Sequence, residues 1–181
     1  MAAYEAGLAS LIGGLVGGWI AYLFSLRKLM VERKSEFVKR QLSELYSPLA
    51  ASQKRIRGKS ALRFKISGEL DKMEEGPVRF EARKTSVSYN NKELSEELIP
   101  LYQKMLDVFT EKYWLADADT RSFYQEFLEY VELWKRSIPP DIGEAIGHDE
   151  SQLEAFYQHL EIKLSDLQNQ IKDEYFWRQN I

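Results

Sequence analysis

The chain has 181 residues, with 25 Lys and Arg against 28 Asp and Glu, two His and no Cys, for a net charge of −3. The missing thiols exclude cysteine catalysis and thiolate-bound zinc. The charge is unevenly spread: residues 26–65 hold 12 basic and 3 acidic side chains, a balance of +9, whereas residues 66–181 hold 13 and 24, a balance of −11.

Residues 6–25, AGLASLIGGLVGGWIAYLFS, carry no charge. A helix of this length at ~1.5 Å per residue is ~30 Å long, the thickness of a bilayer's hydrocarbon core. In lipid the backbone must satisfy its own hydrogen bonds, so the stretch predicts a transmembrane helix with Tyr4 and Tyr22 near its two interfaces. A cleaved signal peptide fits poorly, because a basic n-region is missing and the run exits through Tyr-Leu-Phe-Ser into Arg27 and Lys28. Lys and Arg favour the cytoplasmic side. None precedes the span, and Arg27, Lys28, Arg33, Lys34, Lys39 and Arg40 follow it. The expected topology is a single pass through the inner (plasma) membrane, N-terminus outside and the C-terminal domain cytoplasmic.

Within the span, Gly13 with Gly17 and Gly14 with Gly18 form two overlapping GxxxG motifs, and Ser10 extends the second row. Small residues four apart leave a groove in which two backbones approach closely, the geometry of helix association in lipid. Ser10, Gly13, Gly14, Gly17 and Gly18 are therefore the candidate self-association residues, and a homo-oligomer is expected.

Residues 26–49 contain no glycine, and their only proline is Pro48. Val31, Val38, Leu42, Leu45 and Leu49 follow a helical stripe. The span is thus predicted to continue as a basic juxtamembrane helix, kinked or broken near Ser47 by Pro48. Residues 50–181 form the predicted cytosolic domain. In its first part Lys54, Arg55, Arg57, Lys59, Arg63 and Lys65 cluster without an acid between Glu44 and Glu69. A solvated face, anionic lipid or an acidic protein surface each accounts for this basic patch. Nucleic acid is disfavoured, because Phe64 is its only interleaved aromatic and the domain is acidic.

Residues 74–91 break the helical habit. Gly76-Pro77 punctuates, Val78, Phe80 and Ala82 alternate, and Asn90-Asn91 supplies turn chemistry, so an irregular loop is expected there. Three amphipathic helices follow. The first, from about Ser95 to Leu115, presents Leu98, Leu101, Met105 and Val108, with distortion expected at Pro100. The second, opened by Asp119 or Thr120, turns Phe123, Phe127, Val131, Trp134 and Ile138 inward and stops at Pro139. The third opens at the capping box Ser151-x-x-Glu154 and carries Leu153, Phe156, Leu160, Leu164, Leu167 and Ile171. The fold class is all-α: a transmembrane helix running into a juxtamembrane helix, then a cytosolic helical bundle.

No P-loop, GxSxG, HExxH or dinucleotide fingerprint occurs. His148 and His159 stand too far apart to share a metal unaided; the turn suits His148 and the helix surface His159. Asp117-x-Asp119 reads as helix capping rather than a cation site. No catalytic residue, metal or cofactor is expected. Leu45-Tyr46-Ser47-Pro48-Leu49 and Trp114-Leu115-Ala116-Asp117, set in this order of elements, resemble uncharacterised small bacterial single-span membrane proteins with a cytosolic helical domain. That resemblance implies a bacterial inner membrane and no catalytic role. The chain thus reads as a membrane-anchored interaction or scaffold protein that self-associates through its span and presents its domain to a cytosolic protein. The alternative reading is an effector that perturbs or permeabilises the bilayer when that domain is triggered.

Overall fold

The computed structural model describes the backbone of residues 2–136 and 150–179 and the side chains of residues 17–136 and 153–173. Helices and short turns account for all of the described chain, with no strand among the described residues. In chain order the helices are α1 (Ala2–Arg40), α2 (Ser47–Asp71), α3 (Pro77–Glu93), α4 (Ile99–Glu111), α5 (Ala118–Arg136) and α6 (Glu150–Gln179).

Two prolines shape the scaffold without breaking it. α1 runs into α2 through a π-helical turn, Gln41–Tyr46, in which the Ser47 N–H donates to the Leu42 carbonyl five residues back. α3 runs into α4 through a second π-turn, Leu94–Leu98, where the Ile99 N–H donates to the Leu94 carbonyl. Pro48 and Pro100 each follow one of these turns by two residues. A proline ring clashes with the carbonyl four residues back and supplies no N–H. Widening the preceding turn to the i→i+5 pattern relieves that clash while the helix continues. The break expected at Ser47 is therefore a change of pitch inside one continuous rod, Ala2–Asp71. Ser95, expected to open a helix, likewise sits inside a second rod, Pro77–Glu111, its hydroxyl bonded to the Asn91 and Lys92 carbonyls.

The chain packs as an antiparallel four-helix bundle made of the two rods, α5 and α6. Lys59 pairs with Glu93, which fixes the rods against each other, and Gln41 bonds the Leu115 carbonyl in the turn that follows the second rod. Thr110 meets Tyr124 and Tyr102 meets Tyr130, setting α4 against α5. Gln53 bonds the Tyr157 carbonyl and Arg57 pairs with Glu154, running α6 back along α2. The core lies between these elements. Leu45, Leu49, Met105, Phe109, Leu115, Val131 and Leu160 are fully buried, and Phe156 nearly so. Each such side chain gains roughly 1.5–3 kcal/mol on leaving water. Phe109 stacks on Phe156 at 5.7 Å and takes the ring of Tyr124 edge-on at 5.2 Å. The stripes expected on the three C-terminal helices enter this core or pack against it, save Trp134, which lines a cavity beside it, and Ile138, which lies outside the described residues.

Both ends of the bundle project. The α6 register along the first rod places the end of α6 level with the region of Val31, so the first part of α1 extends beyond its neighbours. At the opposite end, α2 beyond Gly58 and most of α3 form a two-helix hairpin. Here the expectation fails: the loop predicted for 74–91 is helical from Pro77 onward. Pro77 occupies the first turn, where its missing N–H costs nothing. Arg79 and Arg83 reach Asp71 at 3.7 and 3.0 Å, and Lys59 holds Glu93. These tertiary contacts outweigh the weak helix propensity of the Lys84–Asn91 stretch and the period-two alternation at its start. Gly58 and Gly68 also lie inside α2 rather than interrupting it.

Candidate functional site

Three features bear on function: the basic segment of α2, the exposed apolar side chains at the two ends, and a polar hub within the bundle.

The basic residues do not form one patch. Arg57 gives its two terminal nitrogens to Glu154 at 2.6 Å and Glu161 at 2.9 Å, with its guanidinium over the Tyr157 ring. Its hydrogen bond is the main reason the Glu154 carboxyl titrates below its usual range. The Glu154 carboxylate, expected in a capping box, thus serves a bridge between helices; the Ser151 side chain lies outside the described residues. Lys59 sits between Glu93 at 2.7 Å and Glu97 at 2.8 Å, and the hydrogen bond it donates to Glu93 leads in raising the Lys59 pKa. Lys54, Arg55 and Lys65 are exposed, while Arg63 is half-buried and faces a cavity. Two of the six cations hold helices together, three face solvent and one turns inward.

At the α1 end, Trp19, Ile20, Tyr22, Leu23 and Phe24 are all exposed, Phe24 at 68%. Gly17 and Gly18 have nothing within 4 Å of where a side chain would project, which leaves their face open. Ser10, Gly13 and Gly14 lie outside the described residues. Among the described residues no helix is long and apolar enough to cross a membrane. The expected span draws on residues 6–25, of which 6–16 carry no described side chains. At the other end, the hairpin turns Leu62, Phe64, Val78, Phe80, Val87 and Tyr89 outward, Phe64 at 76%. Half-buried Arg63, Arg79, Ala82, Ser86 and Asn90 occupy the same two helices, so apart from Leu70 the more enclosed residues there are polar or small. A two-helix element that exposes its apolar side chains in this way has the character of an interaction surface.

The hub is centred on Thr120, which is fully buried in the first turn of α5. Its hydroxyl lies 2.8 Å from Asp117 Oδ1, from the Tyr46 hydroxyl and from His159 Nε2. A hydroxyl has one hydrogen and two lone pairs, and an ionised carboxylate can only accept. Thr120 therefore donates to Asp117 and accepts from Tyr46 and from His159, which fixes the imidazole as its Nε2–H tautomer. Asp117 also accepts the Thr120 backbone N–H at 2.8 Å, capping α5, and pairs with Lys163 at 2.6 Å. Burial pushes the Asp117 carboxyl up, but the Lys163 ammonium and the two Thr120 bonds hold it below its ordinary value. Burial lowers the His159 pKa, against the pull of Asp117. His159 is thus a half-buried partner of Thr120 and Phe123 rather than a surface residue. His148 lies outside the described residues.

The hub joins three helical segments, and all three groups around the Thr120 hydroxyl are used in holding one another. Among the described residues no group of three His, Asp or Glu stands close enough to hold a metal ion. Comparison with protein-family models, with curated proteins and with solved structures finds no match for this chain.

Proposed function

We propose that this chain is a membrane-anchored helical interaction protein: the first part of α1 sits in the bilayer, copies associate through its small-residue face, and the bundle presents the α2–α3 hairpin to a cytosolic protein. One observation carries the reading. The helix that bears the bare Trp19, Ile20, Tyr22, Leu23 and Phe24 side chains continues without interruption into a rod whose Leu45, Leu49 and Ile56 lie in the bundle core. Apolar side chains on all sides of a projecting helix require cover, and acyl chains supply it on every side at once. The exposed apolar residues of the hairpin, interspersed with Lys65, Glu69, Glu81 and Lys84, suit a protein surface better than hydrocarbon.

The test is a fusion after Ile181 of a reporter active only in the cytosol, read together with resistance of the chain to alkaline extraction from membranes. Activity with membrane retention is the expected result; a fusion that works only in the periplasm, or a chain released by alkali, overturns the topology. For association, Gly14→Ile with Gly17→Ile lowers self-association of the span in a membrane reporter, because a bulky side chain holds the backbones apart. Undiminished association sinks that part of the proposal. Dye leakage from vesicles carrying the protein would instead favour a bilayer-perturbing effector.

A further inference from the structure

A cavity of about 270 Å³ opens where the four-helix core gives way to the hairpin. It is walled by α2, α3, the second π-turn, α4 and α5. Its polar lining is Arg63 with the Ser60 and Ser67 hydroxyls and the Asn90 amide. Its remaining walls are Leu94, Leu98 and rings: Tyr130 meets Tyr102 edge-on at 5.4 Å and Trp134 at 6.2 Å, and the exposed Phe64 stands at the rim. Among the described residues no carboxylate lines it, and the one charged side chain in that lining is the Arg63 guanidinium.

Arg63 stands apart from the other cations of α2 that turn inward. Arg57 and Lys59 are each neutralised by two carboxylates, whereas Arg63 makes no ion pair among the described residues. A guanidinium is a planar fork of donors that binds carboxylate or phosphate through two parallel hydrogen bonds. Holding one half-buried with no counter-charge is unfavourable, and an anion that enters beside it offsets that cost. The aromatic walls suit a flat apolar body, since rings gain most from edge-on or offset contact with another ring. A pocket with mainly apolar and aromatic walls and a few converging polar groups is the usual form of a small-molecule site.

We infer that this cavity binds a small organic anion, an aryl carboxylate or aryl phosphate, with its charged group on the Arg63 guanidinium and its ring between Tyr130, Trp134 and Phe64. The serine hydroxyls and the Asn90 amide supply further hydrogen bonds to the anion. The bound molecule bridges the hairpin to the core, because its partners belong to both.

The test uses the full-length chain in detergent micelles with its four tryptophans labelled as 5-fluorotryptophan and followed by fluorine NMR. Trp134→Phe assigns the reporting line, and the Trp114 line, on the opposite part of the bundle beside Phe37 and Arg40, serves as control. Titration with phenyl phosphate should shift the Trp134 line saturably and leave Trp114 in place. Arg63→Gln should weaken the apparent affinity at least tenfold, and Arg63→Lys, which keeps the charge but loses the fork, should fall between the two. Inorganic phosphate and phenol, each carrying half of the recognition, should bind at least tenfold more weakly than phenyl phosphate. A Trp134 line that does not move, equal affinity in all three Arg63 forms, or phenol binding as well as phenyl phosphate each overturns the proposal. Circular dichroism of the Arg63 variants matching the parent ties the loss to the site; a lost helical signal in Gln but not in Lys leaves the Lys comparison to decide it.

Discussion

Thr120→Val tests whether the polar hub is as tightly coupled as its geometry implies. Valine has the shape of threonine without the hydroxyl, so packing is kept and only the three 2.8 Å contacts are lost. The Asp117 cap on the Thr120 backbone N–H remains. Tyr46 is 1% exposed, and its hydroxyl is left without an acceptor and without access to water. A buried donor left in that state costs ~1–3 kcal/mol. His159 and Asp117 are partly exposed, so water replaces much of what they lose and together they add ~0.5 kcal/mol or less. The expected loss is ~1–3.5 kcal/mol, measured as the change in urea midpoint at constant slope by circular dichroism. Tyr46→Phe alone costs ~1 kcal/mol, but added to Thr120→Val it removes the orphaned donor. The double variant should then be about as stable as Thr120→Val or more so, a coupling of at least ~1 kcal/mol. A Thr120→Val loss below ~0.5 kcal/mol, or costs that simply add, refutes the reasoning.

Three further outcomes are expected. Phe109→Ala, at a fully buried ring packed on Phe156 and Tyr124, should lower stability by ~3–5 kcal/mol in the same urea assay, whereas Phe80→Ala at the exposed hairpin should change it by less than ~0.5 kcal/mol. His159 has its pKa lowered by burial from the ordinary 6.5. The unfolded chain therefore takes up a proton first as the pH falls, and the stability present above 6.5 is lost as the pH drops through the lower, folded-state value. His159→Gln should flatten the stability slope just below pH 6.5, and an unchanged slope would remove His159 as its source. Gly68 lies inside α2 with nothing within 4 Å of an added Cβ, so Gly68→Ala should raise the protection of hairpin amides against hydrogen exchange, by ~1 kcal/mol at most.

The amphipathic stripes of α4, α5 and α6 were readable because each repeats every three to four residues with a wide apolar face, and those faces make the core. α3 was not, because Gly76-Pro77, the Val78–Phe80–Ala82 alternation and Asn90-Asn91 are all local signals of irregular chain. What makes it helical is Asp71 and Lys59, which belong to another helix. The hub escaped notice for the same reason. Tyr46 and Thr120 are 74 residues apart and Thr120 and His159 are 39, and nothing near any of them marks a partner. Composition located the basic segment of α2 but not its division, since the acids that claim Arg57 lie 97 and 104 residues away. Asp117 was legible as a cap because an acid before a helix start answers to the backbone within three residues. The cavity beside Arg63 draws on five segments and has no signature in any one of them.

The unbroken first rod gives the molecule a fixed stand-off height. At ~1.5 Å per residue the helix from Ser25 to Asp71 measures ~69 Å. With its beginning in a bilayer, as proposed, the hairpin tip lies many screening lengths from the headgroups, since fields at a charged surface fade over ~8 Å at physiological salt. On that placement whatever meets the tip would do so in bulk cytosol, and the charge of the leaflet would steer neither its approach nor its orientation. Copies anchored in one membrane would also carry their tips at one altitude, so a partner with repeated sites could engage several at once. The π-turn at Gln41–Tyr46 sets the compass bearing of that tip relative to the span.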